Sequence, residues 1–103
     1  MSVTQDHQGF MWFGAQEGLH RFDGYQLVSF HHDTSQPNSL SSNVISSILT
    51  DKKRRLWVGT QGGGLNLYHD KTQDLSHAEL KKDKSQMIIW LTYKFNKKAK
   101  YSV

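Results

Sequence analysis

Apolar and aromatic residues occur along the chain in short runs, separated by residues that favour turns. The runs have four to seven residues, and their alternating, β-branched or aromatic character is typical of β-strands. They are Met11–Gly14, Leu19–Phe22, Leu27–Phe30, Val44–Thr50, Leu56–Gly59 and Leu65–Tyr68. Turn sequences such as Asp23-Gly24 and Gln61-Gly62-Gly63 lie between them. The pattern predicts an all-β chain.

The strand pattern occurs twice. Asp6, Trp12 and Gly14 recur as Asp51, Trp57 and Gly59 at an offset of 45 residues. After one additional residue, the segment 18–22 matches the segment 64–68 at an offset of 46. We expect the residues that define this repeat to be structural. They are Asp6, Gly9, Trp12, Gly14, Gly18, Leu19 and Phe22 in the first unit, and Asp51, Trp57, Gly59, Thr60, Gly64, Leu65 and Tyr68 in the second.

A unit of about 45 residues with four short strands has the size of one β-propeller blade. The sequence therefore predicts two antiparallel four-stranded blades of a partial propeller, followed by an irregular or single-strand carboxyl-terminal tail. The first blade covers residues 1–43 and is incomplete at its amino terminus, the second covers 44–78, and the tail covers 79–103. Trp12 and Trp57 are predicted to lie in the second strand of each blade and to pack between neighbouring sheets.

The order of these residues resembles the two-component regulator propeller repeat over roughly residues 3–78. The resemblance rests on Asp-x-x-Gly-x-(apolar)-Trp-(apolar)-Gly-Thr, then Gly-Leu and an aromatic residue, then Asn-Ser-Leu-Ser-x-Asn at residues 38–43. It implies a ligand-sensing ectodomain of bacterial hybrid histidine kinases or diguanylate cyclases. This chain would then be a truncated, non-catalytic fragment without independent activity. Other propeller blades would be its partners, and the parent protein would sense a small molecule or glycan.

Two positions depart from the family pattern. Ala15 stands where the repeat usually has threonine, and Arg54 takes the place that Gly9 has in the first unit. If the turn requires a left-handed backbone conformation, a residue other than glycine costs about 1–2 kcal/mol there.

Charge divides the chain into two compositions. Residues 1–70 hold five Lys/Arg and six Asp/Glu, a net charge of −1, whereas residues 71–103 hold eight and three, a net charge of +5. Aromatic residues are interleaved with the lysines of the tail, so a small basic nucleic-acid-binding protein that acts through residues 79–103 is one alternative, although nucleic acid is the less favoured partner. A self-assembling blade module that forms an oligomeric propeller is the other.

The residues give no support to catalysis, a metal or a cofactor. The chain has no cysteine, and its six histidines lack zinc-site spacing. An alternating strand follows the glycine-rich segment 59–64, where a phosphate-binding loop would need a lysine and a helix. Asp6, Asp23, Asp33 and Asp51 occupy turn positions, where a carboxylate caps backbone N–H groups. The chain is therefore not expected to be an enzyme, and its ligand-binding residues stay unknown.

No apolar run reaches the length of about 18 residues that spans a membrane. The amino terminus also lacks the basic and apolar regions of a signal peptide. The chain as written is expected in the cytoplasm, whereas the family's ectodomains are expected in the periplasm.

Overall fold

The computed structural model describes residues 1–77, which form two four-stranded antiparallel sheets and contain no helix, hence none that could cross a membrane. Blade 1 consists of β1 (Ser2–Gln5), β2 (Met11–Gly14), β3 (Leu19–Phe22) and β4 (Leu27–Phe30), hydrogen-bonded in that order. Blade 2 consists of β5 (Ile45–Thr50), β6 (Leu56–Thr60), β7 (Gly64–His69) and β8 (Asp74–His77), in the same order. The predicted all-β fold of two four-stranded blades is confirmed. The predicted tail, 79–103, lies outside the described residues.

The six strands predicted from the hydrophobic pattern are present within one or two residues of their predicted bounds. The hydrophobic pattern did not predict β8, the outermost strand of blade 2, because Leu75 is its one apolar residue. Among the described strands, β8 is hydrogen-bonded to β7 alone. β5 contains a register shift between Ile45 and Ser47, near the start of the strand that begins the second blade.

The hydrophobic core lies between the two sheets. Residues of one face of blade 1 interdigitate there with residues of the facing side of blade 2. The buried members are Trp12, Leu19, Leu40, Ile45, Ile48, Leu56, Val58, Tyr68 and Leu75, and Phe30 packs against them half-buried. We refer to this set as the inter-blade core. Neither sheet could bury its apolar face alone, so each blade stabilises the other.

Trp12 is at the centre of the inter-blade core and is fully buried. Its ring meets the Tyr68 ring of the other blade edge-on at a centroid distance of 4.6 Å, and it stacks on Phe30 at 5.6 Å. The prediction that Trp12 packs between neighbouring sheets is confirmed. Trp57 lies on the opposite side of blade 2, where it forms a second buried cluster with Leu65 of its own sheet.

The other side of blade 1 is apolar and exposed. Its side chains include Val3, Met11, Phe22 and Leu27, with exposed fractions of 52%, 36%, 43% and 58%. We call this side the outer face of blade 1. The repeat makes Met11 and Phe22 equivalent to Leu56 and Tyr68, which are 5% and 6% exposed in the inter-blade core. Equivalent positions are therefore buried in blade 2, where a neighbouring blade covers them, and exposed in blade 1.

The substitution Trp12→Ala is expected to lower the free energy of unfolding by about 3–5 kcal/mol, because it leaves a cavity where three aromatic rings meet. Urea unfolding followed by circular dichroism measures the change. The control is Tyr25→Ala, at a side chain that is 94% exposed, where a change within about 0.5 kcal/mol is expected. A similar small change for Trp12→Ala would show that the two blades do not depend on this contact.

Candidate functional site

The first repeat-signature aspartate binds its tryptophan through one carboxylate. Asp6 Oδ1 accepts the backbone N–H groups of Gln8 and Phe10 at 2.9 and 3.0 Å. Its Oδ2 accepts the indole N–H of Trp12 at 2.8 Å. The carboxylate therefore closes the β1–β2 turn and also satisfies a polar group that enters the core with the buried ring.

Blade 2 repeats this geometry at Asp51. Oδ1 accepts the backbone N–H groups of Lys53 and Arg55, both at 2.9 Å, and Oδ2 accepts the indole N–H of Trp57, also at 2.9 Å. Arg55 Nε adds an ion pair to the same oxygen at 2.6 Å, and its guanidinium lies over the Trp57 ring at 5.4 Å. Burial alone would raise the pKa of Asp51, but the donors from Trp57 and Arg55 hold the pKa below its ordinary value of 3.8.

The turn that each aspartate closes requires a left-handed residue at its fourth position. Gly9 has φ +87° and Arg54 has φ +63°, and their N–H groups bond the carbonyls of Asp6 and Asp51 at 3.1 Å. The turn in blade 2 therefore does require a left-handed residue, and Arg54 adopts that conformation at a cost of about 1–2 kcal/mol.

Gly14 has a different requirement, namely space. A Cβ at this position would lie 2.7 Å from Ile45 Cγ1 and 2.9 Å from the carbonyl oxygen of Gly18. Because the Gly18 oxygen belongs to the backbone, the clash could not be relieved by a side-chain rotation. Glycine here lets β5 of the next blade approach β2 closely.

A hydrogen bond between two side chains crosses the inter-blade core. Arg21 Nη1 donates to the Tyr68 hydroxyl at 2.8 Å, and the guanidinium lies 5.4 Å from the Phe10 ring centre and 5.7 Å from that of Trp12. Burial raises the pKa of Tyr68, so its hydroxyl is neutral at physiological pH and accepts the bond from arginine. The repeat places Leu67 where blade 1 has Arg21, so this bond is particular to the junction between these two blades.

The connection between the blades, residues 31–44, is fixed to both of them. Leu40 enters the core with no exposed area. The amide of Asn66, in β7, accepts the Ser41 backbone N–H at 3.2 Å and donates to Ser41 Oγ at 2.7 Å. On the other side, the carbonyl of Asn43 accepts the N–H of Gly18 at 2.8 Å. The motif Asn-Ser-Leu-Ser-x-Asn therefore sets how one blade follows the next.

Two of the contacts that the sequence did not predict join residues far apart in the chain. The Arg21–Tyr68 bond joins residues 47 positions apart and the Ser41–Asn66 bond joins residues 25 positions apart. Neither spacing is a local motif. The capping role predicted for the turn aspartates is seen at Asp6, Asp51, Asp23 and Asp33, each of which accepts a backbone N–H of the residue two positions later. The indole bond of Asp6 and Asp51 was not anticipated.

The described residues also show how the remaining candidates are placed. In the glycine-rich segment, Gly62 and Gly64 have φ near +83° where the chain reverses between β6 and β7, so the turn predicted at Gln61-Gly62-Gly63 is present. Within residues 1–77, no three His, Cys, Asp or Glu side chains come together in a group able to hold a metal ion.

Comparisons with known proteins agree with this architecture. The family model described as two component regulator propeller matches residues 39–62. No curated protein sequence matches the chain. Among solved structures, the extracellular domain of BT3049 from B. thetaiotaomicron, described as a hybrid two component system, is 34% identical with a TM-score of 0.67. That of BT4673 from the same organism, described as a one component system, is 32% identical with a TM-score of 0.63.

The two alignments cover 82% and 74% of this chain, respectively. The chain spans only 12% of the BT3049 structure and 11% of the BT4673 structure.

The substitution Asp51→Asn is expected to lower the free energy of unfolding by about 1–3 kcal/mol near neutral pH, because an amide nitrogen would face the donors of Trp57 and Arg55. The folded-state pKa of Asp51 is depressed, so its carboxylate contributes stability above about pH 4 that is lost as the pH falls through the folded pKa. The variant should therefore lose less stability than the wild type between pH 5 and pH 2, as measured by urea unfolding. Glu17→Gln is the control, because it removes the same charge at an exposed position. If Asp51→Asn had the same pH dependence of stability as the wild type, the stabilising role given to the Asp51 carboxylate would be wrong.

Proposed function

The chain is built from repeats of the two component regulator propeller family, and on that premise we propose that residues 1–77 are two consecutive blades of a ligand-sensing propeller. In this proposal their contribution to signal transduction is structural, and the chain carries out no catalysis. The relatives in B. thetaiotaomicron are extracellular domains, which supports an extracytoplasmic, periplasmic site of action for the parent protein. A small molecule or glycan is the class of signal that we propose for that parent.

The observation that carries the proposal is the mismatch in burial between equivalent positions of the two blades. Leu56 and Tyr68 are buried because blade 1 covers them, whereas their equivalents Met11 and Phe22 are exposed. An exposed apolar sheet face of this extent is a feature of interaction surfaces. A preceding blade that presents a tryptophan in its second strand would cover the outer face of blade 1 as Trp12 covers blade 2.

Alternatively, a second copy of the chain could cover the outer face of blade 1, and the exposure of that face favours this possibility as well. Copies that stack in a closed ring would form a discrete oligomer, as symmetric assemblies do. The remaining alternative, nucleic-acid binding through residues 79–103, concerns residues outside the part of the chain that the structure describes.

A chimaera tests the blade function directly. Residues 1–77 replace two consecutive aligned blades of the BT3049 extracellular domain, and thermal unfolding and proteolysis report whether the hybrid closes into a folded propeller. The proposal expects a cooperative transition in the hybrid and its loss when Trp12→Ala is introduced. A hybrid that stays unfolded, beside a BT3049 domain that folds under the same conditions, would count against the proposed function.

The isolated chain is expected to self-associate into a polydisperse population, because the outer face of blade 1 leaves apolar surface in water. Replacement of Phe22 and Leu27 by lysine should reduce the association, as measured by light scattering after size-exclusion chromatography. Lysine at Tyr25, which is also exposed but lies in a turn, is the control and should change little. A discrete oligomer would favour the self-assembling module instead. A monodisperse, cooperatively melting monomer would contradict both readings of this face.

A further inference from the structure

A cleft of about 640 Å³ opens between the blades at the edge of the inter-blade core. It lies at the end of the sheets where the β1–β2, β5–β6 and β7–β8 turns come together. His7 enters it from the first turn, Lys53 and Arg54 from the second, and Asp70 and Lys71 from the third. Leu56, Leu67 and Tyr68 supply part of its wall. Both blades contribute, so the cleft exists only where they pack together.

The cleft is positively charged. Its lining has four Lys/Arg side chains and two Asp side chains, which gives a net charge of +2 with histidine neutral. Both carboxylates lie close to other groups of the protein. Asp6 binds the Trp12 indole and two backbone N–H groups, and Asp70 Oδ2 lies 3.7 Å from His7 Nε2 across the blade junction. The positive charges of the lining are Lys53, Arg54, Arg55 and Lys71, and Arg55 also pairs with Asp51 outside the lining.

Arg54 lines this cleft although its backbone has a left-handed conformation, which favours glycine over residues with a side chain. Its φ of +63° corresponds to the φ of +87° of Gly9 in blade 1, where the same turn has the residue that fits it without strain. Of the described residues, Arg54 and Gln73 have a positive φ without being glycine, and of these two only Arg54 lines the cleft. Strain at a residue that also lines a cleft motivates a hypothesis of function for its side chain. The guanidinium group suits one function in particular, because its planar set of donors matches the oxygens of carboxylate, sulfate and phosphate groups.

We propose that the inter-blade cleft binds a small molecule through a carboxylate, sulfate or phosphate group, with Arg54 as the principal contact and Lys53 and Lys71 as supporting charges. This site goes beyond the structural role proposed for the blades and does not depend on it. The wall of leucine and tyrosine side chains would face the uncharged part of the ligand.

The test titrates sodium sulfate, sodium phosphate and sodium acetate separately into the full chain by isothermal calorimetry, with ionic strength held constant by sodium chloride. The three salts distinguish which of these groups the cleft accepts. Saturable binding of at least one is expected in the wild type. In Arg54→Gly that binding should weaken about tenfold or more, since a charge-assisted hydrogen bond is lost.

Gln73→Gly provides a matched control. Gln73 also has a positive φ, +54°, in the β7–β8 turn, but its side chain does not line the cleft. Both glycine variants should raise Tm by a few degrees because both relieve backbone strain. Only Arg54→Gly should lose anion binding. This separates the charge of Arg54 from the conformation of its turn.

Three results would overturn the proposal. The first is the absence of saturable binding heat for all three anions, once the heat measured with sodium chloride alone is subtracted. The second is equal affinity in Arg54→Gly and the wild type. The third is the same loss of affinity in Gln73→Gly, which would trace the effect to backbone changes in general. None of these results bears on whether the blades complete a propeller, because the chimaera tests that through folding.

Discussion

The packing of Trp12 between two sheets, with its indole N–H bound to Asp6, is the interaction on which the rest of this structure depends. The ring provides the largest single apolar surface in the inter-blade core, and burying it would leave a polar N–H without water. Asp6 supplies that partner while its other oxygen closes the β1–β2 turn. One carboxylate therefore couples a local turn to the packing of two blades. The six-residue spacing between aspartate and tryptophan recurs at Asp51 and Trp57 for the same reason.

The stacking of the blades has a direction. A tryptophan face of one blade meets a leucine, valine and tyrosine face of the next, so the two sides of each blade are unlike. The bond between Arg21 and Tyr68 makes this order of blades specific. Phe22, the residue of blade 1 equivalent to Tyr68, has no hydroxyl that an arginine could bind. The segment around Leu40 and Ser41 reinforces this order by tying the connection to the second blade. Repeats of this kind draw their stability from neighbours, which accounts for the exposed outer face of blade 1.

The turns closed by Asp6 and Asp51 show how a repeat can change one residue and keep its backbone conformation. Gly9 and Arg54 adopt nearly the same backbone conformation, yet only the second carries a side chain, and that side chain is cationic. The hydrogen bonds of Asp51 hold the turn closed in spite of the strain. Such a position changes the chemistry of a surface while the blade beneath it stays the same. In a propeller, where each blade adds turns to a shared surface, the proposed anion contact of Arg54 would distinguish this repeat from its neighbour.

The amino-acid sequence by itself determined the elements whose causes are local. The alternation of apolar residues marked six strands, and the repeat of Asp, Trp and Gly marked two blades. Arg54 at the position equivalent to Gly9 indicated a strained turn on the condition that this turn needs a left-handed residue. Each depends on residues within a few positions of one another, where periodicity and turn chemistry are informative. The tertiary structure alone decided which faces meet. The partners Arg21 and Tyr68 are 47 residues apart and Ser41 and Asn66 are 25 apart, and strand β8 is defined by its pairing with β7. The cleft around Arg54 likewise exists only because three distant turns are brought to one end of two packed sheets.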